Sequence, residues 1–404
     1  MNYFEELIEV MSQSDFDEDK VQREAIWLLE HATHREVVKF AIAMLGFTKC
    51  EAYKERLQTI SLHEEFTGVV LFALRNGATG ANDFAFELAQ KLTGWGRVAA
   101  IDFMEGNTPE VKQWLLTEGY KSSVAPVYVA MLCIEKGKLD IMLHEKTISR
   151  ELYDGADGLI RMLLTDYSYD RFDMYEYAGQ VLMRFTYHAK THATTLAHLD
   201  TLTQLTIYME RDEEAWEQLY ELGWKPHERH SVNAAIAEIF AAKPLKDEAL
   251  AVLQSDVEDD EAALEVASYY GEDITEIVFE KLQAKPLHVH YYAVIMNTGD
   301  HAAIERLSQF VMQRVNFANL TEAERHSVRF IVSNLYEFEG VAKDFVVKCL
   351  HADEEMQYQG LMALEEWSKE NWMGGEVEAA VERVAAESSI KEIRQYAKQL
   401  LGKE

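Results

Sequence analysis

The residues best placed for recognition chemistry lie between positions 166 and 177. Tyr167, Tyr169, Phe172, Tyr175 and Tyr177 interleave there with Asp166, Asp170, Asp173 and Glu176. Phenol rings beside carboxylates receive Arg and Lys groups through cation–π contacts and charge-assisted hydrogen bonds. Tyrosine is also enriched at protein interfaces. Two roles fit the segment. It is either an interface or a helix whose aromatics pack into a neighbouring helix pair. The interface role singles out Tyr167, Tyr169, Asp170, Asp173, Tyr175 and Tyr177 as partner-binding residues.

Other constellations carry less. His188 and His192 share a helix face at i, i+4, with His198 further along, a spacing that can hold zinc. No HExxH motif and no nearby acidic ligand accompany them, so no metal site is expected. His288 and His290 fall on different faces of a helix. His227 and His230 begin a helix after Pro226 and read as surface or capping groups. Trp95, Arg97 and Asp102 form a second cluster, in which Arg97 and Asp102 are expected to pair. The run Asp256-Val257-Glu258-Asp259-Asp260-Glu261 lacks the central glycine of a calcium loop and reads as a helix start. With 70 acidic residues, no carboxylate pair stands out for acid–base work. The GxSxG elbow, GxGxxG and GxxxxGK[ST] are all absent. No catalytic residue and no cofactor are expected.

The charge balance narrows the partners. The chain has 39 basic and 70 acidic residues, a net of -31, and no basic run. Nucleic-acid affinity comes from Lys and Arg displacing counterions, so such a chain repels phosphate backbones. It also repels anionic membrane surfaces. A protein partner with a basic segment fits better. The same charge opposes self-association, and a monomer is expected. Cys50, Cys133 and Cys349 are far apart, odd in number and form no CxxC pair, which fits a reducing cytoplasm. Met1-Asn2-Tyr3-Phe4-Glu5-Glu6 shows no basic region before an apolar stretch, so no leader is expected. The longest apolar runs, such as Val69 to Leu74, are far short of the roughly 20 residues that span a bilayer.

Helices must position these groups. Only 5 prolines interrupt 404 residues. Val21, Ala25, Leu28, Leu29 and Ala32 mark one helical face; Val377, Ala380, Val381 and Val384 mark another. Val124 to Ile134 is apolar enough for a strand, but its length and its Ala and Met content predict a buried helix. Gly77, Gly119, Gly137, Gly223, Gly271 and Gly299 sit where a left-handed helix end is expected. Thr108-Pro109-Glu110 reads as a helix start, Ser61–Glu64 and Thr321–Glu324 as capping boxes, and Asp273 and Asp300 as caps. The elements are roughly 10–18 residues long, on the order of two dozen, and joined by tight turns. Val266 to Leu282 resembles Val294 to Leu307: apolar helix, glycine stop, acidic cap, apolar helix, with the glycines 28 residues apart.

The stretch Met356 to Leu401 resembles the paired helices of HEAT-type repeats. Leu361, Ala363 and Leu364 on one helix and Ile393, Ala397 and Leu400 on a later one carry that likeness over about an eighth of the chain. The block Leu92-Thr93-Gly94-Trp95-Gly96-Arg97, Thr108-Pro109-Glu110, Trp114-Leu115-Leu116 and Glu118-Gly119 is similar to a segment of cytoplasmic proteins of Gram-positive bacteria, some labelled limonene hydroxylase. It covers roughly residues 80–165 and carries over no catalytic residue. A hydroxylase must activate oxygen through haem, flavin or iron, and the motifs above supply none of these.

The expected fold is therefore all-α: an α–α superhelix, a HEAT/ARM-like solenoid of antiparallel helix pairs with irregular repeats. N-terminal repeats would fill 1–165 and C-terminal repeats 166–404, or the two would run on as one continuous solenoid. The expected function is a non-catalytic interaction scaffold whose acidic surface binds a basic segment. The alternative is an enzyme or small-molecule binder with a pocket between helices.

Overall fold

The computed structural model describes residues 9–11, 13, 15–165, 170–243, 245–255, 257 and 259–402. Among them there are 25 α-helices and no strand, so the all-helical expectation and the element count agree with the structure. No helix among the described residues is long and apolar enough to cross a membrane.

Many of the short helices carry local start signals. Thr108 Oγ1 accepts from the Val111 amide, with Pro109 at the first helical position. Thr321 and Glu324 form the reciprocal capping box. Asp300 caps the helix His301–Met312 through the Ala302 amide. The stretch read as a buried helix is one, Pro126–Gly137. The signal at Ser61 is displaced. His63 caps Glu64–Gly77 through its ring nitrogen, and Ser61 donates instead to the Gln58 carbonyl.

The six glycines divide by cause. Gly223, Gly271 and Gly299 take the left-handed conformation. Gly77, Gly119 and Gly137 do not; they are close-approach points. A Cβ on Gly77 would lie 2.3 Å from the Thr48 carbonyl oxygen, and one on Gly137 would lie 2.7 Å from the Leu116 side chain. After Gly137, Lys138 supplies the left-handed turn (φ 56).

The chain divides into two compact units, Met1–Pro244 and Leu245–Glu404. Within each, helices pack chiefly on the next one or two or three along the chain. In the first unit, Arg35–Leu45 packs on Glu64–Gly77, which packs on Gly94–Phe103. Helix Arg150–Thr165 packs on both Ala178–His192 and Leu196–Met209. The boundary expected between 165 and 166 is thus crossed by packing inside the first unit. Its core includes Ile42, Leu45, Leu57, Val70 and Leu74, and further on Trp216 edge-on to Trp224, ring centroids 5.2 Å apart. In the second unit, Glu261–Tyr269 and Thr275–Ala284 pack on Val289–Asn297, burying Leu264, Val278, Leu282 and Ile295. Burial of such side chains stabilises by roughly 1.5–3 kcal/mol each before the entropy cost of ordering them.

Two glycines test this account in opposite directions. Gly68 is exposed mid-helix with nothing near its missing Cβ, so Gly68→Ala raises stability by about 0.5–1 kcal/mol. A Cβ on Gly155 would lie 2.3 Å from the Leu116 carbonyl oxygen, so Gly155→Ala lowers stability by about 1–3 kcal/mol. Urea denaturation of the two variants checks both signs.

Candidate binding surfaces

The tyrosine-rich segment is partly turned inward. Tyr167 and Tyr169 lie outside the described residues. Asp170 opens the one-turn helix Asp170–Asp173. Asp173 accepts from the Tyr208 hydroxyl at 2.7 Å and from Arg211 at 2.8 Å, while Arg211 also stacks over the Tyr208 ring. Tyr175 is buried and donates to Asp140 at 3.2 Å. Its phenol is raised by burial and by that carboxylate. Asp173 and Tyr175 therefore serve the fold. Tyr177 is exposed beside Met174, which is 74% exposed. Of the expected partner-binding residues with described side chains, only Tyr177 faces outward.

The histidines expected on one helix face are spent singly. His188 is buried and donates from Nε2 to the Leu143 carbonyl at 2.9 Å. His192 stacks on Tyr153, ring centroids 5.3 Å apart. His198 Nε2 lies 3.1 Å from Asp154 Oδ1, and its Nδ1 lies 2.9 Å from the Thr195 hydroxyl.

His192 and His198 adjoin a buried polar cluster that the sequence did not reveal. Tyr153, Asp157 and Arg161 repeat at i, i+4 along Arg150–Thr165. Asp157 is 4% exposed. Its Oδ2 accepts from Arg161 at 2.8 Å, while its Oδ1 has no hydrogen-bond partner among the described residues. The Tyr153 hydroxyl also lacks one. Burial pushes the Asp157 carboxyl up to about 6, against the opposing pull of the Arg161 guanidinium.

Several cations elsewhere are drawn to the carbonyls at helix ends. Lys136 donates to the carbonyls of Ile101, Asp102 and Met104, where Gly94–Phe103 ends. Arg184 donates to the carbonyls of Leu143, His144 and Glu145, after Leu139–Met142. Lys243 donates to the carbonyls of Ala189 and Ala193, where Ala178–His192 ends. Unsatisfied C-terminal carbonyls carry partial negative charge, so a cation is favourable there. Arg97 follows this rule instead of pairing with Asp102. It donates to the Glu118 carbonyl at 2.7 Å and lies over the Trp114 ring. Trp95 is exposed.

Most of the described carboxylates face outward. Residues 246–285 carry twelve Asp and Glu against Lys246, Lys281 and Lys285. Asp260, in the acidic run, is turned inward. It is 1% exposed, lies 2.8 Å from Lys281 Nζ and accepts from the Tyr291 hydroxyl at 2.9 Å. Two alternate turns, after Glu261–Tyr269 and after Val289–Asn297, line a groove of about 440 Å³. Glu272, Asp273 and Asp300 stand on its walls with Asn297 and Thr298, over buried Ile274 and Val294. Lys246 pairs with Glu272 at 2.5 Å. Asp273 and Asp300 remain exposed while capping the Thr275 and Ala302 amides. The Thr275 hydroxyl and amide hold the Asp273 carboxyl below the usual range, so it stays ionised. Such a groove attracts cations and accepts their hydrogen bonds.

No protein-family model matches the chain, and no curated protein matches it significantly. Its function is therefore argued from these surfaces.

Asp157 gives a pH signature. A carboxyl raised from 3.8 to about 6 stabilises the fold at low pH, and that contribution is lost as pH rises through 6. Stability therefore falls between about pH 4 and 7, by on the order of 2–3 kcal/mol from this group. In Asp157→Asn the fall over that window flattens, as thermal melts across the pH range will register.

Proposed function

We propose that this protein is a non-catalytic scaffold, a solenoid of antiparallel helix pairs that binds a basic segment of a protein partner in a reducing compartment. The observation that carries this reading is the turn groove of the second unit. Glu272, Asp273 and Asp300 crowd one concave site of about 440 Å³, and two of these carboxylates are exposed. A Lys or Arg side chain entering it meets charge and hydrogen-bond acceptors together. Packing limited to near neighbours in sequence supports the solenoid, because such arrays build grooves from successive turns. The inward use of Lys136, Arg184 and Lys243 supports an acidic surface, since it removes cations from among the carboxylates. Three buried, unpaired cysteines accord with a reducing compartment.

Asparagine retains helix-capping ability without charge, so the double variant Asp273→Asn, Asp300→Asn isolates electrostatics from folding. Fluorescence anisotropy with a labelled Lys/Arg-rich peptide is the measurement. The native protein binds it, and the double variant binds about tenfold more weakly. Affinity falls as ionic strength rises from about 0.05 to 0.3 M. Equal affinity for a Glu-rich peptide of the same length sinks the reading.

A further inference from the structure

A second concavity of the second unit has a different chemistry. It is an open cleft of about 350 Å³ between the end of Lys246–Leu253 and the helix Thr275–Ala284. Leu253, Ile277 and Ala284 give it an apolar wall, and Lys281, Lys285 and Tyr291 a polar one. Lys281 lies in the last turn of Thr275–Ala284 and Lys285 caps its end, and both line this cavity. This placement is selective: of the three lysines among twelve carboxylates in residues 246–285, two line this one cavity.

The polar wall is braced from behind. Asp260, almost wholly buried, holds Lys281 Nζ at 2.8 Å and accepts from the Tyr291 hydroxyl. Lys281 also donates to the Ser255 carbonyl at 3.2 Å. His288 stacks on Tyr291, ring centroids 4.2 Å apart. A buried ion pair contributes little net stability over an apolar replacement, because desolvation offsets the attraction. Its gain here is orientation: an ammonium with fixed geometry at the wall of a cavity. Two of the Lys281 donors are engaged by Asp260 and Ser255, and an ammonium has three.

We propose that this cavity binds a small monocarboxylate with an apolar body, its carboxylate received by Lys281 and Lys285 and its hydrocarbon portion by Leu253, Ile277 and Ala284. The volume is at the lower end of ordinary small-molecule sites and suits a ligand on the order of ten heavy atoms. The exposed Glu280 stands on the same cavity and disfavours multiply charged anions. This inference does not depend on the acidic turn groove, with which the cavity shares no residue.

The test is isothermal titration calorimetry of the full chain with octanoate, with inorganic phosphate as the second probe. Octanoate is expected to bind saturably, one per chain, and phosphate much more weakly. Lys285→Glu is expected to weaken octanoate about tenfold or more. Its circular dichroism melt confirms that the fold is kept. Lys281→Met leaves Asp260 buried without its cation and is destabilising, so the decision rests on Lys285. The Asp273→Asn, Asp300→Asn protein is expected to bind octanoate as the native chain does, which separates this site from the groove. No saturable heat with octanoate, equal binding of phosphate, or a folded Lys285→Glu protein of native affinity each overturns the proposal.

Discussion

Most helices here are too short to be stable alone, and that constraint governs the rest of the molecule. An isolated helix below about 12–15 residues is marginal in water. Helices such as Glu261–Tyr269 and Thr275–Ala284 exist because their apolar faces are covered by neighbours a few elements away in sequence. Coverage so local requires close turns, and close turns require either a left-handed residue or a glycine against which backbone can press. Gly271 and Gly299 meet the first need, Gly77 and Gly137 the second. Placing turns side by side is in turn what brings Asp273 and Asp300 to one groove.

Many short helices also create many ends, and each end leaves carbonyls without partners. The chain answers with cations from elements elsewhere in sequence. Lys136, Arg184 and Lys243 reach back to carbonyls 32 to 54 positions earlier, and Arg97 reaches forward to those of Glu118 and Gly119, 21 and 22 positions later. The surface charge is thus a product of the architecture as well as of composition. Carboxylates remain outside at helix starts, where the positive end of the dipole favours them, while part of the basic complement is occupied at helix ends.

This division explains what was legible in the sequence. Caps are local, so Thr108, Thr321 and Asp300 could be read from three or four residues, and the helical periodicity of Val377 to Val384 survives as a buried face. Ser61 failed because His63 offered a competing acceptor two residues later. The Arg97–Asp102 pairing failed for a deeper reason. The true acceptors are backbone carbonyls, which every residue carries, so no side-chain pattern marks them. The tyrosine-rich segment drew notice for its composition, yet composition cannot say that Asp173 answers to Tyr208 and Arg211. Asp157 and Asp260 were hidden among 70 acidic residues, because burial of a carboxylate is decided by partners distant in sequence.

The cation–carbonyl pins have a consequence for life in brine. Dissolved salt acts over a Debye length and weakens repulsion among exposed carboxylates. It acts far less on a half-buried ammonium within 3.2 Å of its carbonyl acceptors, as Lys136 is with Ile101 and Met104. A protein fastened by exposed ion pairs loosens as ionic strength climbs. Here surface pairs such as Arg56–Glu30 and Arg306–Glu276 are screened along with the self-repulsion of the carboxylates, while the cation–carbonyl pins keep their hold, so salt acts on the two kinds of fastening unequally.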